Sequence, residues 1–146
     1  MDRALLLALL FLVAGPPPAG AEDPVGVPVY PGAATDDATV SYCAAAAMQM
    51  HLQVQGKGLK AEVMCFRSSD AFSRVVTFYG HQPSLQRMPA GSGGGRSALF
   101  CSRGPRCSGE AGGVQVQVQS PWHAAGAERK DVIVTISTSR KSARRP

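Results

Sequence analysis

The sequence predicts an α+β fold in which an antiparallel sheet of about five strands carries one helix on one face. Several segments alternate apolar and polar residues with a period of two, as half-buried strands do. One segment between them has its apolar residues at helical spacing instead. The predicted order is β-β-α-β-β-β, which is typical of an antiparallel sheet with a helix packed against it.

The first two predicted strands flank a glycine turn. Residues 48–55 alternate strictly between apolar and polar side chains. Gly56-Lys57-Gly58 supplies the positive φ angles that a tight hairpin requires. Residues 59–66 form the return strand, and Met64 and Phe66 make its second face apolar. We therefore expect this strand to be covered on both faces or to lie centrally in the sheet.

A short amphipathic helix is predicted over residues 72–79. Ser68-Ser69-Asp70 precedes it, and such side chains cap helices by accepting bonds from the free N–H groups of the first turn. Its apolar stripe lies at i, i+3, i+4 and i+7 and consists of Phe72, Val75, Val76 and Tyr79. Gly80 ends the helix. Because so short a helix is marginal alone, we expect its stripe to dock on the sheet.

Three further strands complete the predicted sheet. Residues 97–102 are apolar, residues 114–119 read VQVQVQ, and residues 131–139 are rich in β-branched side chains. A long loop over 81–96 precedes them, and its Gly-rich part, 89–96, is predicted to be flexible. Another loop is expected from Pro121 onwards. We expect strands that follow one another in the chain to pair.

The N-terminus has the pattern of a signal peptide over residues 1–21. Arg3 precedes an apolar run, and Ala19-Gly20-Ala21 forms an A-x-A cleavage site before Glu22. The run is too short to span a bilayer, so no transmembrane span is expected in the mature form. We predict a secreted or periplasmic protein with a single domain over residues 22–139.

Four cysteines in an exported chain predict disulfide bonds. Cys101 and Cys107 enclose a turn-forming sequence, and a local bridge between them is our first expectation. Cys43 and Cys65 would form the remaining pair. However, Cys65 lies in a predicted strand, so the alternative is a free thiol buried in the core.

A basic tail over residues 140–146 is predicted to be disordered. It carries most of the net charge of +5 through Arg140, Lys141, Arg144 and Arg145. A basic tail on a nearly neutral domain is a poor sign of nucleic-acid binding, and no nucleic-acid partner is expected. The tail would either attract anionic surfaces weakly or only aid solubility.

The residues available for catalysis or metal binding are few. His51, His81 and His123 are far apart in the sequence, and no short paired zinc-ligand spacing is present. Asp36-Asp37 has no further oxygen ligands at regular spacing, which favours a solvated turn over a cation site. We expect no metal site, no cofactor and no catalytic set.

Two groups of residues are candidates for contacts with a ligand or partner. Met48, Met50 and Met64 would line an adaptable apolar groove, although core packing is the stronger interpretation. Trp122 and Tyr30 would make an exposed aromatic contact with a partner, or the tryptophan would cap one end of the core.

The chain resembles a group of small exported bacterial proteins. The resemblance rests on Val29-Tyr30-Pro31-Gly32-Ala33, the start "VYPGA", and on a D-x-F-x-K-V-x-x-F-Y-like step from strand to helix at 70–79. It covers most of residues 27–139. Arg74 stands where the group has lysine, and the cysteines and glycine tether are additions. The resemblance implies export and a similar architecture, but no activity and no catalytic residues.

These observations predict an exported, non-catalytic module that binds an unknown protein or envelope component. The alternative is a small exported enzyme with a site built from cysteine and histidine. Such a site needs a thiolate in an electropositive, partly exposed setting. Cys101 and Cys107 come closest, because Arg103 and Arg106 flank them.

Overall fold

A five-stranded antiparallel sheet, in the order β1-β7-β4-β3-β2, forms the centre of the described structure. The structure is a computed structural model that describes residues 26–89, 95–103 and 111–143. The predicted signal peptide lies outside these ranges. In chain order the elements are α1 (Asp37–Val54), β1 (Leu59–Ser68), α2 (Phe72–Gly80), β2 (Leu85–Met88), β3 (Arg96–Ser102), β4 (Val114–Ser120), β5 (Trp122–Ala124), β6 (Ala127–Arg129) and β7 (Val132–Lys141).

Strand β7 lies between β1 and β4 and pairs antiparallel with both. Its β-branched residues favour an extended backbone. Eight consecutive side chains of β7, from Val132 to Ser139, are buried. Because neighbouring side chains of a strand point to opposite faces, both faces of the sheet must be covered along β7.

One face of the sheet is covered by α2 and by the segment before α1; we call it the α2 face. Val134 and Ile136 of β7 point to this side, where Val75 and Tyr79 of α2 are fully buried. The Tyr79 hydroxyl donates a hydrogen bond to the Pro28 carbonyl oxygen at 3.1 Å. The apolar stripe from which the helix was predicted therefore packs against the sheet.

The opposite face, the α1 face, is covered by α1 and by the β5–β6 hairpin. Ile133 of β7 and Cys65 of β1 point to this side and pack with Trp122 of β5. A disulfide bond between Cys43 and Cys65 fastens α1 to β1, with a Cα–Cα distance of 5.5 Å. The Cys43–Cys65 bond confirms that the protein contains a disulfide.

The structure corrects the first predicted strand, because residues 48–54 continue the helix α1 and Gln55 begins a short 3-10 helix, Gln55–Lys57. Asp36 and Thr39 form a capping box at its start: the Asp36 carboxylate accepts from the Thr39 backbone N–H at 2.9 Å, and the Thr39 hydroxyl accepts from the Asp36 N–H at 2.7 Å. Four alanines then favour helix, and the chain reverses at Gly58, where φ is +68°. Asp36 is thus a helix cap rather than part of a solvated turn.

The other predicted strands and the second helix are confirmed, but their arrangement differs from the prediction. The sheet carries a helix on each face, and the order begins α-β-α rather than β-β-α. Strand β1 is covered on both faces yet pairs with β7 alone among the strands, so it is an edge strand and not a central one. Because β7 lies between β1 and β4, chain neighbours do not always pair.

Two segments predicted as loops contain strands. Strand β2 lies within the predicted loop 81–96 and pairs with β3, whereas residues 90–94 of the Gly-rich part fall outside the described residues. The loop expected after Pro121 holds the β5–β6 hairpin. These strands have four residues or fewer, too few for an alternating pattern to stand out.

The last strand extends into the predicted tail. Arg140 and Lys141 belong to β7 and pair with Lys60 and Leu59. A guanidinium nitrogen of Arg140 lies 3.3 Å from a carboxylate oxygen of Glu62. Any disordered tail therefore begins after these residues. Residues 144–146, with Arg144 and Arg145, fall outside the described residues.

Replacing Cys43 and Cys65 together by alanine is expected to lower the free energy of unfolding by roughly 3 kcal/mol. The bond closes a loop with a sequence separation of 22, and its loss restores freedom to the unfolded chain. Denaturant unfolding of the purified protein, followed by circular dichroism, measures the change. Equal stability of both proteins would contradict the role given to this bond.

Candidate functional site

A surface groove of about 520 Å³ runs along the solvent side of α2. The segment before α1 forms one wall through Tyr30 and Pro31, and the helix forms the other. Its residues combine an aromatic floor with polar and charged walls: Tyr30, Pro31, Asp70, Ser73, Arg74, Thr77, Phe78 and His81. The groove thus brings aromatic, acidic, basic and hydroxyl side chains together.

The aromatic floor of the groove is held by Tyr30. Its ring packs edge-on against Phe78, with 5.2 Å between the ring centroids. Its hydroxyl donates a hydrogen bond of 2.6 Å to the Asp70 carboxylate. This bond, together with desolvation and the negative charge of Asp70, raises the pKa of Tyr30 above its ordinary value. The side chain therefore remains a neutral phenol that positions Asp70.

The polar wall of the groove follows the helical repeat. Ser73, Arg74 and Thr77 are exposed on one side of α2, and the exposed His81 continues that side directly after the helix. The Thr77 hydroxyl donates to the Ser73 carbonyl oxygen at 2.8 Å, which satisfies it within the helix. Arg74 forms no ion pair with another residue of the described chain. Its guanidinium is therefore the group best placed to meet an anionic ligand.

The helix is not capped as the sequence predicts. Its N-cap is Ala71, without a side-chain hydrogen bond. Asp70 is instead turned towards Tyr30, and its own backbone N–H donates to the Ser68 hydroxyl at 3.1 Å. The predicted cap residue is thereby part of the groove.

Among the described histidines and cysteines, His81 is the one that lines the groove. His51 lies on α1, His81 follows α2 and His123 lies on β5, so the fold keeps the histidines on separate elements. Cys43, Cys65 and Cys101 are disulfide-bonded. Cys107, the predicted partner of Cys101, falls outside the described residues. In the described ranges no three His, Cys, Asp or Glu residues are grouped so as to hold a metal ion.

A second charged group, at the C-terminal end of β1, is an ion-pair cluster of two arginines and two aspartates. Arg67 lies with its Nε 2.8 Å from Asp36 and a terminal nitrogen 3.3 Å from Asp131. Arg129 also pairs with Asp36, at 3.1 Å. The cluster ties together the start of α1, the end of β1, the hairpin and the start of β7. Both of its arginines are already ion-paired with its aspartates, so the cluster stabilises the fold rather than recruiting a charged ligand.

The structure corrects the prediction that Trp122 contacts a partner, because its side chain is 0% exposed. Its indole N–H donates to Asp131 at 2.8 Å, and the Tyr42 ring packs edge-on against it at 5.4 Å. Trp122 thus caps the core, which was the alternative interpretation. Tyr30 is 8% exposed and lies on the α2 face, so the two aromatic residues do not form a common surface.

Sequence reasoning misses most of the groove. It assigns Asp70 to helix capping, leaves Arg74 outside the apolar stripe and places His81 in a loop. The polar spacing of residues 70, 74, 77 and 81 is a visible signal, since it marks one side of a helix. The contact of that side with Tyr30 spans 40 residues of sequence, and no local pattern reveals it.

The chain was also compared with known proteins. Comparisons with protein families, curated proteins and solved structures give no significant match. Among the described residues, no helix is both long and apolar enough to cross a membrane.

The ion-pair cluster predicts a defined pH dependence of stability. The Thr39 N–H bond and the charges of Arg67 and Arg129 outweigh desolvation and lower the pKa of Asp36. A carboxyl whose pKa is lowered in the folded state stabilises the fold at pH values above its unfolded-state pKa of about 3.9. This stabilisation disappears as the pH falls through the folded-state pKa of Asp36. In thermal unfolding across a pH series, Asp36→Asn should have a lower midpoint than the wild type at neutral pH. Its midpoint should also fall less than that of the wild type on acidification.

Asp37→Asn is the matched control for this experiment. Asp37 is the adjacent residue and is exposed, and its carboxylate forms no ion pair within the described chain. Its replacement should leave the pH profile close to that of the wild type. Identical profiles for the wild type and Asp36→Asn would show that the cluster does not stabilise the fold.

Proposed function

We propose that the protein is an exported, non-catalytic module that binds a protein or envelope partner, and that the groove on α2 receives this partner. The observation that carries the proposal is the combination of Arg74 with an aromatic floor in one open cleft. Arginine and aromatic residues supply a large share of the binding energy in protein interfaces.

The chemistry of the groove favours a polypeptide segment with an acidic side chain. Arg74 would pair with the acid, and the Tyr30–Phe78 floor would receive an apolar neighbour. Asp70 is already engaged with Tyr30, so its charge is partly satisfied before a partner arrives. An open groove suits an extended segment better than a fully enclosed small molecule.

The state of the cysteines and histidines supports a binding role over catalysis. A nucleophilic cysteine has to be a thiolate, and Cys43, Cys65 and Cys101 are held in disulfides. His81 is the histidine of the groove, and no cysteine lines the groove with it. A Cys/His site thus has no support among these residues.

Two observations support export. The A-x-A site at residues 19–21 follows an apolar run, as in signal peptides. The Cys43–Cys65 bond is of the kind that persists in oxidising compartments. The resemblance of the "VYPGA" segment to exported bacterial proteins agrees with both.

The partner can be sought by affinity capture from an envelope extract with the purified chain as bait. Replacing Arg74 by glutamate is expected to reduce capture of a specific partner by about tenfold, because it removes the cation of the groove and adds repulsion. Filling the groove with Ser73→Trp should have a similar effect. Both side chains are exposed, so neither change should unfold the domain.

Matched controls lie outside the groove. Arg87 of β2 and Ser84 before it are exposed, and Arg87→Glu and Ser84→Trp make the same chemical changes there. These controls should capture the partner as the wild type does. A partner retained equally by all four variants would bind elsewhere and would contradict the groove as its site.

A further inference from the structure

The solvent side of α1 is unusually apolar for a surface helix. Val40, Met48 and Leu52 are 64%, 67% and 61% exposed, and they are the large apolar side chains that the described surface exposes most. Ala44 is exposed between them. Large apolar side chains grouped on one part of a surface mark an interaction site. The outer side of α1 therefore has the character of an interface.

These four residues form one stripe, which we call the α1 stripe. They recur at every fourth position, so they lie along one side of the helix over about 18 Å. The inner side of α1 is occupied separately, by Thr39, Cys43 and Val54 against the sheet. The α1 stripe is therefore not needed for the core of the domain.

The order of large and small residues along the stripe makes it complementary to the same stripe on a second copy of the chain. A two-fold axis at position 46 would place Val40 opposite Leu52 and Ala44 opposite Met48 of the other copy. The two longest side chains, Leu52 and Met48, would then each meet a smaller one, as close packing requires. Two-fold interfaces join the same patch on both subunits, which demands this kind of self-complementarity.

The charges around α1 agree with the same antiparallel arrangement. Asp37 lies in the first turn, whereas Lys57 and Lys60 follow the C-terminal end. An antiparallel pair would bring the acidic end of each helix to the basic end of the other, with favourable alignment of the helix dipoles. The helix itself contains no lysine or arginine, which disfavours an anionic lipid surface as the occupant.

We infer that the α1 stripe is a homodimer interface, in which α1 packs antiparallel against α1 of a second copy. This goes beyond the proposed function and rests on a different surface. Because α1 and α2 lie on opposite faces of the sheet, dimerisation leaves both α2 grooves open. A dimer would then hold two partner segments at once and gain avidity.

The test measures self-association of the purified chain by sedimentation over a concentration series. The wild type should approach twice the monomer mass. Met48→Glu and Leu52→Glu should each weaken the association by about tenfold or more, because a charge would replace an apolar anchor. Gln53→Glu is the matched control: it adds the same charge at an exposed position of the helix outside the stripe, and should leave association unchanged.

Charge reversal tests the orientation. Asp37→Lys and Lys57→Glu should each weaken self-association, whereas an equal mixture of the two proteins should associate again. In the mixed dimer the introduced lysine of one copy would face the introduced glutamate of the other. The unchanged Asp37 and Lys57 would face each other at the opposite end, so both contacts are restored. A mixture that associates no better than its components would overturn the antiparallel arrangement.

Circular dichroism verifies that each variant is folded. A wild-type chain that stays monomeric throughout the series, or glutamate variants that dimerise as the wild type does, would overturn the proposal. Flotation with phosphatidylcholine vesicles tests a lipid surface as the alternative occupant of the α1 stripe. A monomeric chain that binds these vesicles through Met48 and Leu52 would make the stripe a lipid contact instead of a dimer interface.

Discussion

Burial of β7 on both faces is the constraint on which the rest of this fold depends. A strand with eight consecutive buried side chains needs a cover on each side of the sheet. The helix α2 supplies one cover through Val75 and Tyr79. The other is assembled from α1 and the β5–β6 hairpin, which the Cys43–Cys65 bond and the ion-pair cluster fasten to the sheet.

Both proposed surfaces follow from the way these covers are built. Each helix packs one side on the sheet and presents the other to solvent. On α2 the outer side is polar and meets Tyr30, which creates a groove that contains an arginine without an ion pair in the described chain. On α1 the outer side exposes the apolar stripe of Val40, Ala44, Met48 and Leu52, which favours contact with a like surface. Two contacts of different chemistry can therefore coexist on opposite faces of one small sheet.

The sequence was sufficient for the α+β class, for α2 and for the longer strands, because their periodicity is long and unambiguous. It failed at residues 48–55, where polar residues alternate with Met48, Met50, Leu52 and Val54 in a pattern that fits a strand. The same residues fit a helix once Asp36 and the alanine run have started one upstream. In that helix Val54 points inwards while Met48 and Leu52 point to solvent, so apolar character alone did not mark the core. The groove was unpredictable for another reason, since Tyr30 and Asp70 meet only in the folded chain.

The most direct test of this arrangement is an NMR assignment of α1 and its contacts. The structure predicts helical Cα chemical shifts without interruption from Asp37 to Val54. It also predicts nuclear Overhauser contacts between the rings of Tyr42 and Trp122, whose centroids are 5.4 Å apart. Extended shifts over residues 48–55, with no contact between those rings, would show that the second face of the sheet is covered in some other way. The α1 stripe would then not exist.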